Sequence, residues 1–374
     1  MSLNLVEFKK PTMVGSWGEL QMDIDPYNKW TFVKTPNLQY ETIRENGEYD
    51  YIIGLEPYEL IQSDVKLPTC KCNTLVIQHW GEDVLTQEED NTNLINNLKN
   101  IKYDRLVIIT PQIRKNDSEE FDIYYEPFAG PRFFCHKNNE KFWYNKKFID
   151  GEYGVKWNTN TKNKLFHSMF YALRPHRERV LKILKQDKFL SDNGYFLGKN
   201  VPNTKEFDGD IIHSEFHDNT ESPNFKLLLH KDAIGDSDRF CITDVFAKQT
   251  YIELVVESHI YNGCSFMTEK VAKPYLGLQI PLFIAWPGYI QELREQGFDL
   301  FDDIINHSYD DEIDEEKKID MVITELKTLC KMDVPKIYNE LKPRLLKNQK
   351  LFYDLVYEND RNLKLWKFIF GDRV

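Results

Sequence analysis

Short apolar runs punctuate the first half of the chain, at Tyr51 to Gly54, Thr74 to His79 and Leu106 to Thr110, with polar or helix-compatible stretches between them. Continuous Leu, Val and Ile without alternation suits strands buried on both faces, which predicts a parallel sheet covered by helices. Thr74 to His79 runs into Trp80-Gly81 and is the clearest strand followed by a loop. The second half repeats the scheme. Phe166 to Tyr171 reads as a strand, Pro175 to Lys188 as a helix, Asp192-Asn193-Gly194 as a turn and Tyr195 to Leu197 as the next strand. Phe225 to His230, Tyr251 to Glu257 and Ile280 to Trp286 continue a βαβ series. Ile319, Val322, Ile323, Leu326 and Cys330 fall on one face of a later helix, and the C-terminal stretch reads as further amphipathic helix ending in Leu365, Trp366, Phe368, Ile369 and Phe370.

At 374 residues the chain exceeds what one hydrophobic core usually organises, so two α/β domains are expected. Residues 131 to 163 are aromatic and basic without clean periodicity, which puts the boundary there. The division is then an N-terminal domain over 1–160, a second over 161–340 and C-terminal helices over 341–374. A 41% hydrophobic fraction with 44 Phe and Tyr residues supplies two cores and excludes a disordered chain. The net charge of −12 opposes broad attraction to nucleic acid. Against that balance, Arg174, Arg177, Arg179, Lys182, Lys185 and Lys188 gather in one predicted helix, which charge alone reads as a solvated face. The run from Asp310 to Lys318 reads as a helix start with its own solvated face. Six scattered cysteines, at 70, 72, 135, 241, 264 and 330, form no disulfide framework, and Cys70-Lys71-Cys72 lacks zinc-site spacing. Reduced packing thiols, no apolar leader and no run of about 18 apolar residues make a cytoplasmic protein without a membrane span the expectation.

The chemistry concentrates at Thr268-Glu269-Lys270-Val271-Ala272-Lys273-Pro274, between Glu257 and the Ile280 strand with its Pro287-Gly288-Tyr289 turn. Thr268 is a good N-cap, and a helix begun there would aim free N–H groups and its positive dipole end at an anion. Lys270 and Lys273, three apart, would add point charges suited to a diphosphate. Glu269 in the first turn could accept from a ribose or sugar hydroxyl. A capped surface helix with solvated Glu and Lys would carry the same letters. Arg174 and Arg177 offer planar forks for phosphate oxygens, with Arg174 preferred, and His176 between them is a phosphate contact or a structural histidine. Glu257 is placed at a strand end, where it could hold a ribose or base or serve as a cap.

Glu257, Thr268-Glu269-Lys270, the short helix and the Pro-Leu-Phe-Ile strand with its Pro-Gly turn resemble the donor-binding half of fucosyltransferase-like glycosyltransferases of GT-B architecture. Leu173-Arg174-Pro175-His176-Arg177, with Leu181 and Leu184, is similar to the arginine-containing helix that opens that domain. Gly288-Tyr289, Gly297-Phe298-Asp299, Phe301-Asp302-Asp303 and Ser308-Tyr309-Asp310 resemble uncharacterised glycosyltransferase-like proteins of phages and large viruses. The resemblance spans roughly residues 165 to 330 and departs at Lys273-Pro274 and at Ala285-Trp286-Pro287-Gly288, which leaves the donor sugar open. It implies two Rossmann-like domains facing a cleft, C-terminal helices crossing back to the first domain, and transfer from a nucleotide-sugar. Arg174, His176, Arg177, Glu257, Thr268, Glu269, Lys270 and Lys273 would then bind the donor, with no separate cofactor.

Such an enzyme needs a diphosphate clamp, sugar-orienting groups and, if inverting, a base for the acceptor hydroxyl. The base is expected in the first domain, where His79, Glu82 and Asp83 follow the clearest strand, and Glu126 is a further choice. Asp208-Gly209-Asp210 and the His213/His217 pair have metal-like spacing but stand among turn formers, so no metal site is assigned. The acceptor expected is a glycan or glycolipid headgroup. A DNA enzyme glycosylating a hydroxymethylated base, and an inert viral glycan- or nucleotide-binding protein, are the alternatives.

Overall fold

The structure is a computed structural model, and it describes residues 4–7, 39–41, 45–55, 69–78, 96, 98–110, 122–125, 157, 159–170, 174–198, 211–212, 244–261, 267–357 and 367–369. The chain forms two compact units. One comprises Met1–Gly130, Gly263–Phe266 and Glu358–Val374; the other comprises Pro131–Asn262 and Met267–Tyr357.

Among the described residues the first unit holds six parallel strands: β1 (Asn4–Glu7), β2 (Gln39–Glu41), β3 (Gly47–Leu55), β4 (Cys70–Gln78), β5 (Ile101–Thr110) and β6 (Asp122–Tyr125). Their order is β2-β1-β3-β4-β5-β6, a doubly wound arrangement whose direction of winding reverses between β1 and β3. The three apolar runs lie in β3, β4 and β5, each of which begins about four residues earlier than its apolar core, a common boundary error. Ile52, Leu75, Val76, Ile77, Val107, Ile108 and Ile109 are buried, as a two-sided parallel sheet requires. Cys70 and Cys72 lie in the same core as packing thiols, and burial pushes Cys72 up to about 12.

The second unit carries the sheet β11-β10-β7-β8-β9, built from β7 (Lys164–Phe170), β8 (Gly194–Gly198), β9 (Ile211–Ile212), β10 (Thr250–Val256) and β11 (Ile280–Ile284). Four strands are parallel and the edge strand β9 is antiparallel, which departs from the all-parallel expectation. Between β7 and β8 run α1 (Pro175–Gln186) and α2 (Lys188–Asn193). The single helix expected through Lys188 is broken at Asp187, whose carboxylate accepts from the Leu190 N–H and starts α2. Asp192 and Asn193 therefore end a helix instead of forming a turn, and Gly194 opens β8. Glycine is required there because a Cβ would strike the Phe166 ring at 2.2 Å.

The remaining helices are α3 (Asp244–Gln249), α4 (Ala272–Leu276), α5 (Tyr289–Glu295), α6 (Glu315–Cys330), α7 (Val334–Glu340) and α8 (Lys342–Tyr357). In α6 the five periodic residues are all buried and pack toward β11. The expected solvated face at Asp310 to Lys318 is corrected. Asp310 is buried and accepts from the Ile290 and Gln291 N–H groups at 3.0 Å each, and Lys318 is buried and donates to the Ala285 and Asp310 carbonyls. α8 lies on α4 within the second unit, and after it the chain is grouped with the first unit from Glu358 onward. No described helix is long and apolar enough to cross a membrane.

Candidate functional site

In the second sheet β7 runs through α1 and α2 to β8 on one side and has β10 on the other, so the winding reverses between β7 and β10. In open parallel sheets a reversal of this kind is the usual ligand position. The segment entering α1 and the segment leaving β10 meet at that point.

Glu257 follows β10 directly, and its N–H continues the ladder to the Ile284 carbonyl at 2.9 Å. Its carboxylate is fully buried. Oε2 accepts from Thr268 Oγ1 at 2.6 Å and from the Ser258 N–H at 3.3 Å, Oε1 accepts from Tyr289 at 3.0 Å, and Lys270 Nζ stands 4.0 Å away. Buried carboxylates are tolerable only when paired and hydrogen-bonded in this way. The Lys270 ammonium donates to Thr268 Oγ1 at 2.9 Å and to Ser258 Oγ at 3.2 Å, so one anion organises two hydroxyls, a phenol and a cation.

The expected helix start at Thr268 takes a different form. Glu269–Val271 is a single 3₁₀ turn, and α4 begins after it with Val271 at its cap position. Thr268 Oγ1 accepts from the Lys270 N–H at 3.2 Å, which caps the turn while its own proton goes to Glu257. Pro274 explains the register, since proline is accommodated in the first turn of an α-helix and not in its interior. The short helix expected here is thus present but begins at Ala272, after the turn, and not at Thr268. Lys273 is half-buried on α4, and the Glu269 side chain lies outside the described residues.

Arg174 occupies the N-cap position of α1, ahead of Pro175. One guanidinium nitrogen donates to the Ser258 carbonyl at 2.8 Å and lies 2.5 and 3.1 Å from the Nε2 and Nδ1 of His259. His259 in turn meets the Tyr261 ring edge-on at 5.4 Å. His176 Nε2 donates to the Glu257 carbonyl at 3.0 Å. Burial, followed by repulsion from Arg177, Arg174 and His259, lowers its pKa to about 4, so it is neutral at physiological pH. Arg177 turns inward and donates to the Val256 carbonyl at 3.0 Å from a buried position.

The basic helix of the sequence thus resolves into separate roles. Arg174, His176 and Arg177 tie the start of α1 to the end of β10, Arg179 pairs with Glu316 and Asp320 of α6, and Lys188 belongs to α2, where it pairs with Asp192. Sequence reasoning missed Ser258, His259 and Tyr289. His259 follows Glu257 by two residues and carried no motif; a strand-end position at the point of reversed winding was the only signal available. His79, Glu82, Asp83 and Glu126, and the metal-like Asp208, Asp210, His213 and His217, lie outside the described residues, as does the Phe225 to His230 run. No cluster of three or more His, Cys, Asp or Glu suited to a metal occurs among the described residues.

No protein-family model matches the chain, and no curated protein does. Comparison with solved structures finds, among others, crystal structures of an α1,3-fucosyltransferase. One matches at 12% identity and TM-score 0.39, over 98% of this chain and 89% of that one. A second, with GDP-fucose, matches at 11% identity and TM-score 0.40, over 100% and 91%. A third, with GDP, matches at 12% identity and TM-score 0.41, over 95% and 90%. Values of this size describe a loose likeness of chain path.

Proposed function

We propose that the protein is a nucleotide-sugar-dependent glycosyltransferase of GT-B type whose second unit holds the donor. The observation that carries this reading is the meeting of Arg174, His259, Lys270 and Thr268 around Glu257 where the winding of a parallel sheet reverses. Arg174, Arg177 and Lys270 bring three positive charges against one buried carboxylate, a local excess of two on a chain of net charge −12. That excess suits a diphosphate, and low dielectric strengthens it.

Lys270 and Arg174 contact phosphate oxygens in this reading, with His176 neutral beside them. Glu257 acts by positioning, because its oxygens already accept from Thr268, Ser258 and Tyr289. Glu269 and Lys273 complete the donor side. Transfer inverts the anomeric centre, needs no metal, and uses a base among His79, Glu82 and Asp83 of the first unit on a glycan or glycolipid hydroxyl. The protein works in the cytoplasm.

A thermal-shift screen with UDP, GDP, CDP, ADP and TDP, each with and without divalent metal, tests the donor site. A metal-independent rise with one nucleotide is expected. A rise seen only with manganese would move the site to Asp208 and Asp210, and no rise with any nucleotide would remove the donor site.

A further inference from the structure

His259 is unassigned by the donor motif, yet it has the closest side-chain contact to Arg174, 2.5 Å from the guanidinium to Nε2. A guanidinium has no acceptor capacity and only donates, and its nitrogen lies within reach of both ring nitrogens, so whichever of them accepts must present a lone pair. The imidazole is therefore neutral while Arg174 donates to it.

Ionisable groups on two of the described elements lie near it. The start of α1 brings Arg174 into contact, with His176 within electrostatic range and Arg177 beside His176. The segment after β10 brings the Tyr261 ring edge-on and Glu257, whose carboxylate is committed to Thr268 and Tyr289. Cations on α1 thus oppose a charge on His259. An anion held by Arg174 would reverse that balance, because it screens the guanidinium and attracts an imidazolium.

We propose that His259 takes up a proton from solvent when a nucleoside diphosphate binds beside Arg174, so that the site adds a cation only when its ligand is present. This rests on the donor-site reading above. Loss of the sugar adds a negative charge to the diphosphate, so the same proton counts for more in the product complex than in the donor complex. On release the proton returns to solvent and His259 resumes accepting from Arg174. No bond of the ligand is made or broken by the imidazole.

Calorimetry at pH 7 in two buffers of different ionisation enthalpy counts the protons exchanged as each of the five nucleoside diphosphates binds. Any proton the nucleotide itself releases is common to all variants and cancels in the comparison. Wild type should take up more protons per bound nucleotide than His259→Gln, which keeps a neutral polar side chain, and affinity in the variant should fall about three- to tenfold. His259→Lys, with a permanent cation, should hold affinity near wild type while losing the extra uptake; a merely structural role for His259 predicts weakened binding in both variants with unchanged proton counts. Equal counts in wild type and either folded variant overturn the proposal and leave the donor site standing. Failure of wild type to bind any of the five removes the donor site and the proton uptake with it.

Discussion

The energetics at residue scale centre on Glu257, which accepts from three donors, pairs with the Lys270 ammonium at 4.0 Å and has no exposure of its own. Glu257→Ala would leave the Lys270 ammonium without its carboxylate and the Thr268 and Tyr289 hydroxyls without an acceptor. Breaking a buried ion pair in that way costs about 3 to 5 kcal/mol, and urea denaturation should read a loss of that order. Thr268→Val removes the hydroxyl that donates to Glu257 and accepts from the Lys270 N–H and ammonium, and should cost at least about 1.5 to 3 kcal/mol. Arg174→Ala and Lys270→Ala should each weaken nucleoside-diphosphate binding by roughly 1 to 3 kcal/mol, measured by titration calorimetry. Wild-type affinity in either variant would remove the clamp.

His176 adds a pH dependence whose sign follows from its depressed pKa. Between about 4 in the folded protein and the ordinary 6.5, the unfolded chain binds more protons. Stability therefore rises with pH through that window and is lost as pH falls through it. Melting temperature should fall between pH 6.5 and pH 4, less steeply in His176→Gln.

At the scale of elements, the helices are held to the second sheet by buried charges that close backbone caps. Lys162 donates to the Ala247 and Thr250 carbonyls at 3.0 and 2.8 Å, closing the end of α3, and to Tyr338 of α7 at 3.2 Å. Its ammonium lies over the Tyr338 and Tyr251 rings at 4.3 and 5.3 Å, and Tyr338 stacks on Trp157 at 4.6 Å. Burial lowers Lys162 to about 7 and Lys318 to about 8, from an ordinary 10.5. Across those windows the unfolded chain binds more protons, so stability of the second unit should rise from about pH 7 toward pH 10. Lys162→Met should flatten the lower part of that rise in a pH series of melting curves.

Asp310 does for α5 what an N-cap usually does, from twenty residues downstream of Ile290. Gly288, at φ +91°, supplies the left-handed turn that starts the same helix. Asp310→Ala should cost about 2 kcal/mol, at the upper end of cap deletions because two N–H groups lose a buried acceptor.

For the whole molecule, the C-terminal residues matter through Arg105. In the first unit its side chain donates to Asp122 of β6 and to the Phe368 and Ile369 carbonyls at 3.0 and 3.1 Å, and lies 5.2 Å over the Phe368 ring. The chain thus leaves the first unit, builds the second, and is pinned again to the first near its end. Arg105→Ala should release that return segment, which limited proteolysis would register as faster cleavage beyond Tyr357 with α8 still protected.

The apolar runs and helical periodicities determined by themselves that the protein is α/β, that its sheets are mainly parallel and where most strands fall, because burial on both faces leaves no other pattern. Glu257, Thr268 and Lys270 are legible as a strand end followed by a helix start, which are local signals, whereas Arg174 joins them only through the family resemblance and not through any local pattern. Local signals could not show that Arg177 turns inward, that Asp310 and Lys318 are buried, or that Lys162 closes α3, because those partners lie between 8 and 176 residues apart along the chain. Whether a charged residue faces water or a buried carbonyl is decided only when distant strands pair and bring desolvation and its compensating acceptors to the same point. His259 belongs to that class: its two neighbours in sequence say nothing of Arg174, and the reversal of winding between β7 and β10 places them together.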